Sequence, residues 1–299
     1  MTPPLLLVGH GTRDDAGVKD FGAFVERLAE RAPGRTSAGG FIELSPPPLT
    51  DTVARLREDG HDRMVAVPLM LVAAGHAKGD IPGALARERD RHPGLRFVYG
   101  RPLGPHPDLL GLLRERLAAA LGDADPAGTT VLLVGRGSTD PDANAEVVKV
   151  ARLLWETSGK DGDGDRPAGV EAAFISLAPP GVPDGLERCR ALGARRVVVL
   201  PYFLFSGVLP DRVTEQAHRF AADHPDMDVR VADVIGDCDG LAALVEERYA
   251  EALAGDIRMN CDTCVYRASM PGFAHRVGAP QHPHHHPDDP SHAHHHHAH

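Results

Sequence analysis

The feature that most constrains the fold of this chain is an internal repeat with a period of about 130 residues. Three blocks of the first half return in the same order in the second half. The matched blocks are 5–14 with 130–140, 41–47 with 174–180, and 65–71 with 198–204. Matched blocks in a constant order indicate two copies of one structural unit, so the second half should repeat the fold of the first.

Each copy alternates short aliphatic runs with segments whose apolar residues recur at helical spacing. Such alternation predicts a parallel sheet with helices on both faces. In the first copy we expect strands at 5–8, 36–44, 64–72 and 95–99, and helices at 17–31, 48–58 and 107–121, with a further helix opening at Pro82. Four consecutive aliphatic residues in the first of these strands are typical of a central strand buried on both faces.

We therefore predict an α/β fold of two pseudo-twofold-related parallel-sheet domains that face each other across a cleft. The predicted domains are 1–124 and 125–256, which join within a polar linker at 122–128. Each domain is long enough to bury its own core. Residues 257–299 lack the periodic apolar pattern, and we expect them to form a disordered tail.

The charge balance limits the classes of partner. The chain has 32 Lys and Arg against 42 Asp and Glu, a formal charge of −10, which argues against nucleic acid or an anionic membrane surface as the general partner. Its apolar runs are of strand length, and the N-terminus lacks the pattern of a signal peptide. We expect a soluble cytoplasmic protein.

Three residues with metal or proton chemistry stand at the ends of predicted strands. His10 follows the first strand between two glycines, Glu43 ends the second strand, and His76 follows the third. Because parallel strands place their carboxyl ends at one edge of the sheet, these side chains should converge. Two imidazoles and a carboxylate suit a divalent ion such as Co²⁺, Fe²⁺, Ni²⁺ or Zn²⁺. Taken singly, His10 could instead bond its turn neighbours, and Glu43 could be a solvated residue.

The second copy does not keep these residues. Arg136 stands opposite His10, Ser176 opposite Glu43, and Leu209 opposite His76. Purely structural residues should persist about equally in both copies. We therefore predict that the first copy carries the chemistry and that the second forms a wall of the cleft.

The same stretches resemble a known family. The Gly-His-Gly-Thr-Arg-Asp turn after the first strand, Phe-Ile-Glu-Leu at 41–44, and Gly-His-Ala-Lys-Gly-Asp at 75–80 are similar to sirohydrochlorin chelatases of the CbiX/SirB type, over about residues 5–255. The resemblance implies a chelatase fold and an enzyme that inserts Co²⁺ into sirohydrochlorin for cobalamin biosynthesis, or Fe²⁺ for siroheme biosynthesis. It also implies the fused long form of the family, a monomer with an internal pseudo-dimer.

Carried over by motif, His10 and His76 correspond to the metal-handling histidines of the family, and Glu43 to the acidic residue near them. We expect the two histidines to hold the ion, while Glu43 assists coordination or accepts a proton from the pyrrole nitrogens. Sirohydrochlorin is a polycarboxylate, so an acidic protein needs local cations to bind it. Arg13, Lys78 and Arg136 are candidates to pair with the substrate carboxylates.

The C-terminal segment contains a pair of cysteines and many histidines. Cys261 and Cys264 lie in a Met-x-Cys-x-x-Cys stretch, which in the long relatives is associated with a [4Fe–4S] cluster. Two thiolates cannot supply four ligands, so a homodimer or other ligands would be needed; a reversible disulfide or weak zinc binding is the alternative. Residues 275–299 contain 11 of the 18 histidines and could store or deliver the metal.

Two other functions compete with a chelatase. One is a histidine phosphatase or phosphoglycerate mutase-like enzyme, in which a strand ends in Arg-His-Gly; in this chain Gly9 stands where that arginine would be. The other is a non-enzymatic metal-binding or storage protein. Between the two metals, the long-form resemblance favours Co²⁺, with Fe²⁺ as the alternative.

Overall fold

Each repeat forms a four-stranded parallel sheet. The computed structural model describes residues 2–159, 166–255 and 274–278. The first sheet consists of β1 (Leu5–Gly9), β2 (Ser37–Phe41), β3 (Arg63–Pro68) and β4 (Arg96–Tyr99), in the order β2-β1-β3-β4. The second consists of β5 (Thr129–Gly135), β6 (Gly169–Phe174), β7 (Arg196–Pro201) and β8 (Asp228–Val231), in the order β6-β5-β7-β8. The identical order confirms the repeat and the predicted α/β class.

Helices connect the strands and cover both faces of each sheet. They are α1 (Asp15–Arg31), α2 (Leu49–Glu58), α3 (Ile81–Arg91), α4 (Pro107–Leu121), α5 (Pro141–Thr157), α6 (Val182–Ala191), α7 (Val208–Asp223) and α8 (Asp239–Ala254). A π-helical turn, His76–Asp80, precedes α3. Asp14 and Asp140 cap α1 and α5 at equivalent positions, each accepting a hydrogen bond from the backbone two residues on. None of the helices in the described ranges has the length and apolar content needed to cross a bilayer.

The packed layers share one central core. The outer face of the first sheet packs on α2 and α3, and the outer face of the second packs on α6 and α7. Between the sheets, the inner faces of β1, β3, β5 and β7 bury leucine and valine against α1, α4, α5 and α8 in a single cluster. Burial of this shared cluster holds the two lobes together, because neither inner face is covered without the central helices.

The last helix of each repeat packs on the sheet of the other repeat. Helix α8 contacts β3 and β4, whereas α4 contacts β7 and β8. The fully buried Arg248 of α8 donates to the carbonyl oxygens of Pro102 and Leu103 at 3.1 and 2.8 Å. Each lobe therefore has an outer core cluster of its own and shares a central cluster with the other lobe. The reason is that α4 carries buried leucines on more than one face, so it needs cover from more than one side.

Two strands are shorter than the sequence pattern predicts. Strand β2 ends at Phe41 rather than 44, and β3 ends at Pro68 rather than 72. Beyond these points the chain still hydrogen-bonds to the end of β1, since Ile42 donates to the Gly9 carbonyl at 3.1 Å and Leu69 donates to the Val8 carbonyl at 2.8 Å. The apolar run continues, but the chain leaves the regular ladder to build the turns of the site.

Candidate functional site

The turn after β1 brings His10 against Glu43. The Glu43 amide donates to the His10 carbonyl at 3.1 Å, which fixes the two backbones side by side. Gly11 has a φ of 112°, and a Cβ there would lie 1.9 Å from the Glu43 carbonyl oxygen. Only glycine therefore allows this approach, which explains the Gly-His-Gly sequence of the turn.

Three side-chain atoms from three strand ends converge. The Nε2 atom of His10 lies 2.8 Å from the Nε2 atom of His76 and 2.8 Å from an Oε1 atom of Glu43. One ligand atom from each of these residues lies within 4.8 Å of the others. The side chains are 22% exposed for His10, 14% for Glu43 and 15% for His76, so they are sheltered but reachable. The structure thus brings together the three residues predicted from the sequence.

The hydrogen bond of His76 to Asp80 directs its other ring nitrogen toward His10. Nδ1 of His76 lies 2.6 Å from Oδ2 of Asp80, and because a carboxylate accepts, this Nδ1 carries the proton and Nε2 presents a lone pair. His10 has acceptors on both ring nitrogens, with the Gly11 carbonyl 3.1 Å from Nδ1 and the Glu43 carboxylate 2.8 Å from Nε2. A proton or a metal ion among Nε2 of His10, Nε2 of His76 and the Glu43 oxygen offsets the repulsion between them.

The spacing fits a metal ion with open positions. Two ligands with bonds of about 2.1 Å at right angles lie about 3.0 Å apart, close to the observed separations. Two histidines and one carboxylate supply three ligands, which leaves several positions of an octahedral ion free. The geometry therefore suits an ion that is bound and then released to another set of ligands.

Asp80 is a further residue of the candidate site, which the sequence did not predict. Its side chain is 4% exposed, and it accepts from the Nδ1–H of His76 within the π-helical turn. A carboxylate on the outer nitrogen orients a ligating imidazole and raises its basicity. The Tyr99 hydroxyl donates to the Ala77 carbonyl at 2.7 Å and anchors the same turn. The spacing of four residues between His76 and Asp80 was the available signal.

The electrostatics keep His76 ready to bind a cation. Burial lowers the pKa of His76 from its ordinary 6.5, and the charges of His10 and Arg136 add to this effect, while Asp80 opposes it. The imidazole is therefore neutral at physiological pH, which is the form that binds metal.

Arg136 is the cation that the second lobe brings to the site. It follows β5 as His10 follows β1, and its side chain is exposed. Desolvation by the surrounding protein lowers the pKa of the Arg136 guanidinium, and the negative charge of Glu43 opposes this shift. The guanidinium of Arg136 and the carboxylate of Glu43 are therefore near each other. The Ser176 amide donates to the Arg136 carbonyl at 3.0 Å, as Glu43 does to His10. The two lobes share this backbone arrangement but not its chemistry.

The structure does not place Lys78 with the exposed cations. Its side chain is 5% exposed, and Nζ lies 2.8 Å from Asp140 and 3.0 Å from Asp142, which are 2% and 6% exposed. The Ala73 amide also donates to Glu146 at 2.9 Å, on the same helix of the second lobe. These bonds favour a structural role for Lys78, because they fasten the segment that carries His76 to α5.

The remaining predicted residues have separate positions. Arg13 is exposed in the turn between β1 and α1. Cys261 and Cys264 lie outside the described residues, as do most of the tail histidines. A second cluster that could hold a metal ion consists of His106, Asp108 and Glu247. There, the Asp108 amide donates to Nδ1 of His106 at 3.2 Å to cap α4, so that nitrogen already has a partner.

Comparisons with known proteins cover both lobes. A family model described as CbiX matches residues 4–120 and 130–252. The sirohydrochlorin cobaltochelatase of Priestia megaterium is 36% identical over 269 residues, which are 89% of this chain and 85% of the relative. The sirohydrochlorin ferrochelatase of the same organism is 30% identical over 250 residues, 84% of this chain and 90% of the relative. Among solved structures, SirB from Bacillus subtilis with Fe³⁺ aligns with a TM-score of 0.73 at 26% identity, covering 86% of this chain and 97% of that one.

Proposed function

This chain belongs to the CbiX family, and from that membership together with the site we infer that it is a sirohydrochlorin chelatase, which inserts a divalent metal ion into the sirohydrochlorin ring. The observation that carries the inference is the convergence of Nε2 of His10, Nε2 of His76 and the Glu43 carboxylate at metal-ligand spacing. Family membership also argues against a phosphatase.

The proposed reaction exchanges one ion for two protons. The metal starts on His10 and His76 and ends on the ring nitrogens, which release two protons. The Glu43 carboxylate accepts one of them. The Nε2 lone pair of His10, vacated by the ion and 2.8 Å from Glu43, accepts the other. A departing charge of two is thereby replaced by two protons, so the net charge of the sheltered site is the same before and after the transfer.

Co²⁺ is the proposed metal, with Fe²⁺ as the alternative. The cobaltochelatase relative is more similar to this chain than the ferrochelatase relative, at 36% against 30% identity. The ligand set alone does not separate the two ions, since both accept imidazole and carboxylate.

Arg136 and Arg13 are proposed to pair with substrate carboxylates. Arg136 is exposed beside Glu43 and His76, and a guanidinium offers two parallel hydrogen bonds to a carboxylate. Arg13 is exposed three residues after His10. Lys78, which was predicted with them from the sequence, is not retained in this proposal because both of its carboxylate partners belong to the protein.

To test this proposal, purified protein is mixed with sirohydrochlorin and either Co²⁺ or Fe²⁺ in the absence of oxygen. The rate of metal insertion is measured from the change in absorbance of the ring. We expect insertion of both ions, faster for Co²⁺. His10→Ala, His76→Ala and Glu43→Gln should each lower the rate by about a hundredfold or more. His218→Ala, an exposed histidine of α7, is the matched control and should match wild type.

Two outcomes would contradict the proposal. Near-normal rates in both histidine variants would remove the site assignment. Binding of Co²⁺ with no change in the ring spectrum would favour the alternative, a metal-binding protein without catalytic activity.

The [4Fe–4S] cluster at Cys261 and Cys264, the cytoplasmic location and the metal-delivering tail stay predictions from the sequence. Two cysteines per chain are half of the usual ligand set, so a cluster bridging a homodimer is the simplest proposal. Iron and sulfide contents of protein purified without oxygen test it, together with the mass of the particle in solution.

A further inference from the structure

Two leucines at equivalent positions in the repeats share an unusual backbone. Leu44 has a φ of 65° and Leu177 a φ of 62°, and they are the only non-glycine residues with positive φ in the part of the chain that the structure describes. The Ser45 amide donates to the Glu43 carbonyl at 2.7 Å, and the Ala178 amide donates to the Ser176 carbonyl at 2.7 Å. Each leucine is thus the central residue of a γ-turn with positive φ, a rare and strained conformation.

Neither leucine side chain is buried, so packing does not offset the strain of its turn. Leu44 is 48% exposed and Leu177 is 63% exposed. Glycine or asparagine would adopt this backbone with less strain and would not place a large apolar side chain in water. The backbone of the turn therefore does not explain why leucine occupies it.

Both repeats keep this turn, although the chemistry beside it differs. The repeats have diverged from His10 to Arg136, from Glu43 to Ser176, and from Ser45 to Ala178, whereas the leucine is the same in both, as are the isoleucine two residues before it and the two prolines that follow. Burial explains why Ile42 and Ile175 persist, but it does not explain the two exposed leucines.

Both leucines lie just beyond the carboxyl ends of equivalent strands, β2 and β6. Leu44 follows Glu43 of the candidate metal site, and the two line a pocket of 280 Å³ together with residues of α2 and α3. Leu177 follows Ser176, whose amide bonds to the Arg136 carbonyl, and Arg136 is near Glu43. One exposed leucine is therefore next to a residue of the candidate metal site, and the other occupies the equivalent position in the second lobe.

We propose that Leu44 and Leu177 are the apolar contacts that hold the flat ring of the tetrapyrrole between the lobes. A macrocycle with apolar faces and charged edges needs such contacts to its faces as well as cations at its rim. The strained turns give the two side chains a fixed direction, so that less conformational entropy is lost on binding. This inference rests on the proposed function.

The experiment measures ring binding separately from metal binding. Leu44→Asn, Leu177→Asn and the double variant keep a residue that tolerates positive φ but remove the apolar surface. Leu44→Met keeps the apolar surface, and Leu192→Asn, 72% exposed at the end of α6, is the matched control. Sirohydrochlorin binding without metal is measured by fluorescence, Co²⁺ binding alone by calorimetry, and Tm by thermal unfolding.

We expect each asparagine variant to weaken ring binding by about tenfold, the effect of losing one buried leucine contact. Tm should be unchanged or higher, Co²⁺ affinity should stay within about twofold, and Leu44→Met and Leu192→Asn should bind the ring as wild type does. If an asparagine variant folds poorly, Leu44→Gly and Leu177→Gly provide the same comparison.

Normal ring binding by the double variant would overturn the inference, and so would a large loss of Tm in both the asparagine and the glycine variants, which would mark the leucines as structural. Either result, with an active wild type, leaves the chelatase proposal intact. A wild-type protein that binds no sirohydrochlorin would overturn both.

Discussion

Replacing Lys78 by methionine should destabilise the protein by about 3–5 kcal/mol, because it removes the ammonium group that hydrogen-bonds to two buried carboxylates, Asp140 and Asp142. Burial alone would lower the pKa of Lys78, but the hydrogen bonds and charges of the two aspartates outweigh it and raise the pKa above its ordinary 10.5. The ammonium is therefore charged in the folded protein. Without it, two negative charges remain in a site that water barely reaches.

This loss is a large fraction of the free energy of unfolding of a typical domain, about 5–15 kcal/mol. Urea unfolding followed by circular dichroism measures it, provided that the slope with denaturant is unchanged. Lys149→Met is the matched control, since Lys149 is an exposed lysine on α5, the helix that carries Asp142. Its loss should change the free energy of unfolding by less than about 0.5 kcal/mol.

A triple variant separates charge from packing. Lys78→Met with Asp140→Asn and Asp142→Asn removes all three charges, and asparagine still caps α5. It should recover at least about half of the lost stability, because a neutral buried cluster carries no unpaired charge. The reasoning is refuted if Lys78→Met costs less than about 1 kcal/mol, or if the triple variant is no more stable than the single one.

The remaining predictions concern two other buried groups. Burial raises the pKa of Glu146 in the folded protein above its ordinary 4.5. The protonated Glu146 therefore contributes its full stabilisation below the pKa of the unfolded chain, and this stabilisation is lost as pH rises through the higher pKa of the folded protein. Glu146→Gln keeps an acceptor for the Ala73 amide and should gain stability over wild type as pH rises from about 5 to about 8, measured by urea unfolding; a constant difference across this range would count against the burial argument. Burial also raises the pKa of the Cys189 thiol to about 12, so at about pH 8 a thiol reagent should label the half-buried Cys238 well before Cys189 in folded Cys261→Ser/Cys264→Ser protein. Peptide mass analysis checks this, and equal labelling rates would be the contrary result.

The fold class and the grouping of the candidate metal-site residues followed from the sequence because both depend on local patterns. Alternating strands and helices permit few arrangements, and a parallel sheet brings the ends of its strands to one edge. His10, Glu43 and His76 could therefore be grouped although up to 66 residues separate them. The repeat added the contrast with Arg136 and Ser176, on which the prediction that the first lobe carries the metal chemistry depends.

Only the tertiary structure determined which groups a single side chain contacts, and that the last helix of each repeat packs on the sheet of the other repeat. Lys78 stands two residues from His76, and proximity in sequence suggested a substrate contact, but its carboxylates come from a helix 62 and 64 residues away. In the same way, nothing in the sequence of α4 or α8 says which sheet it covers. Periodicity specifies which face of an element is buried, whereas only the packing of the whole chain determines what that face is buried against, since this depends on surfaces far apart along the polypeptide.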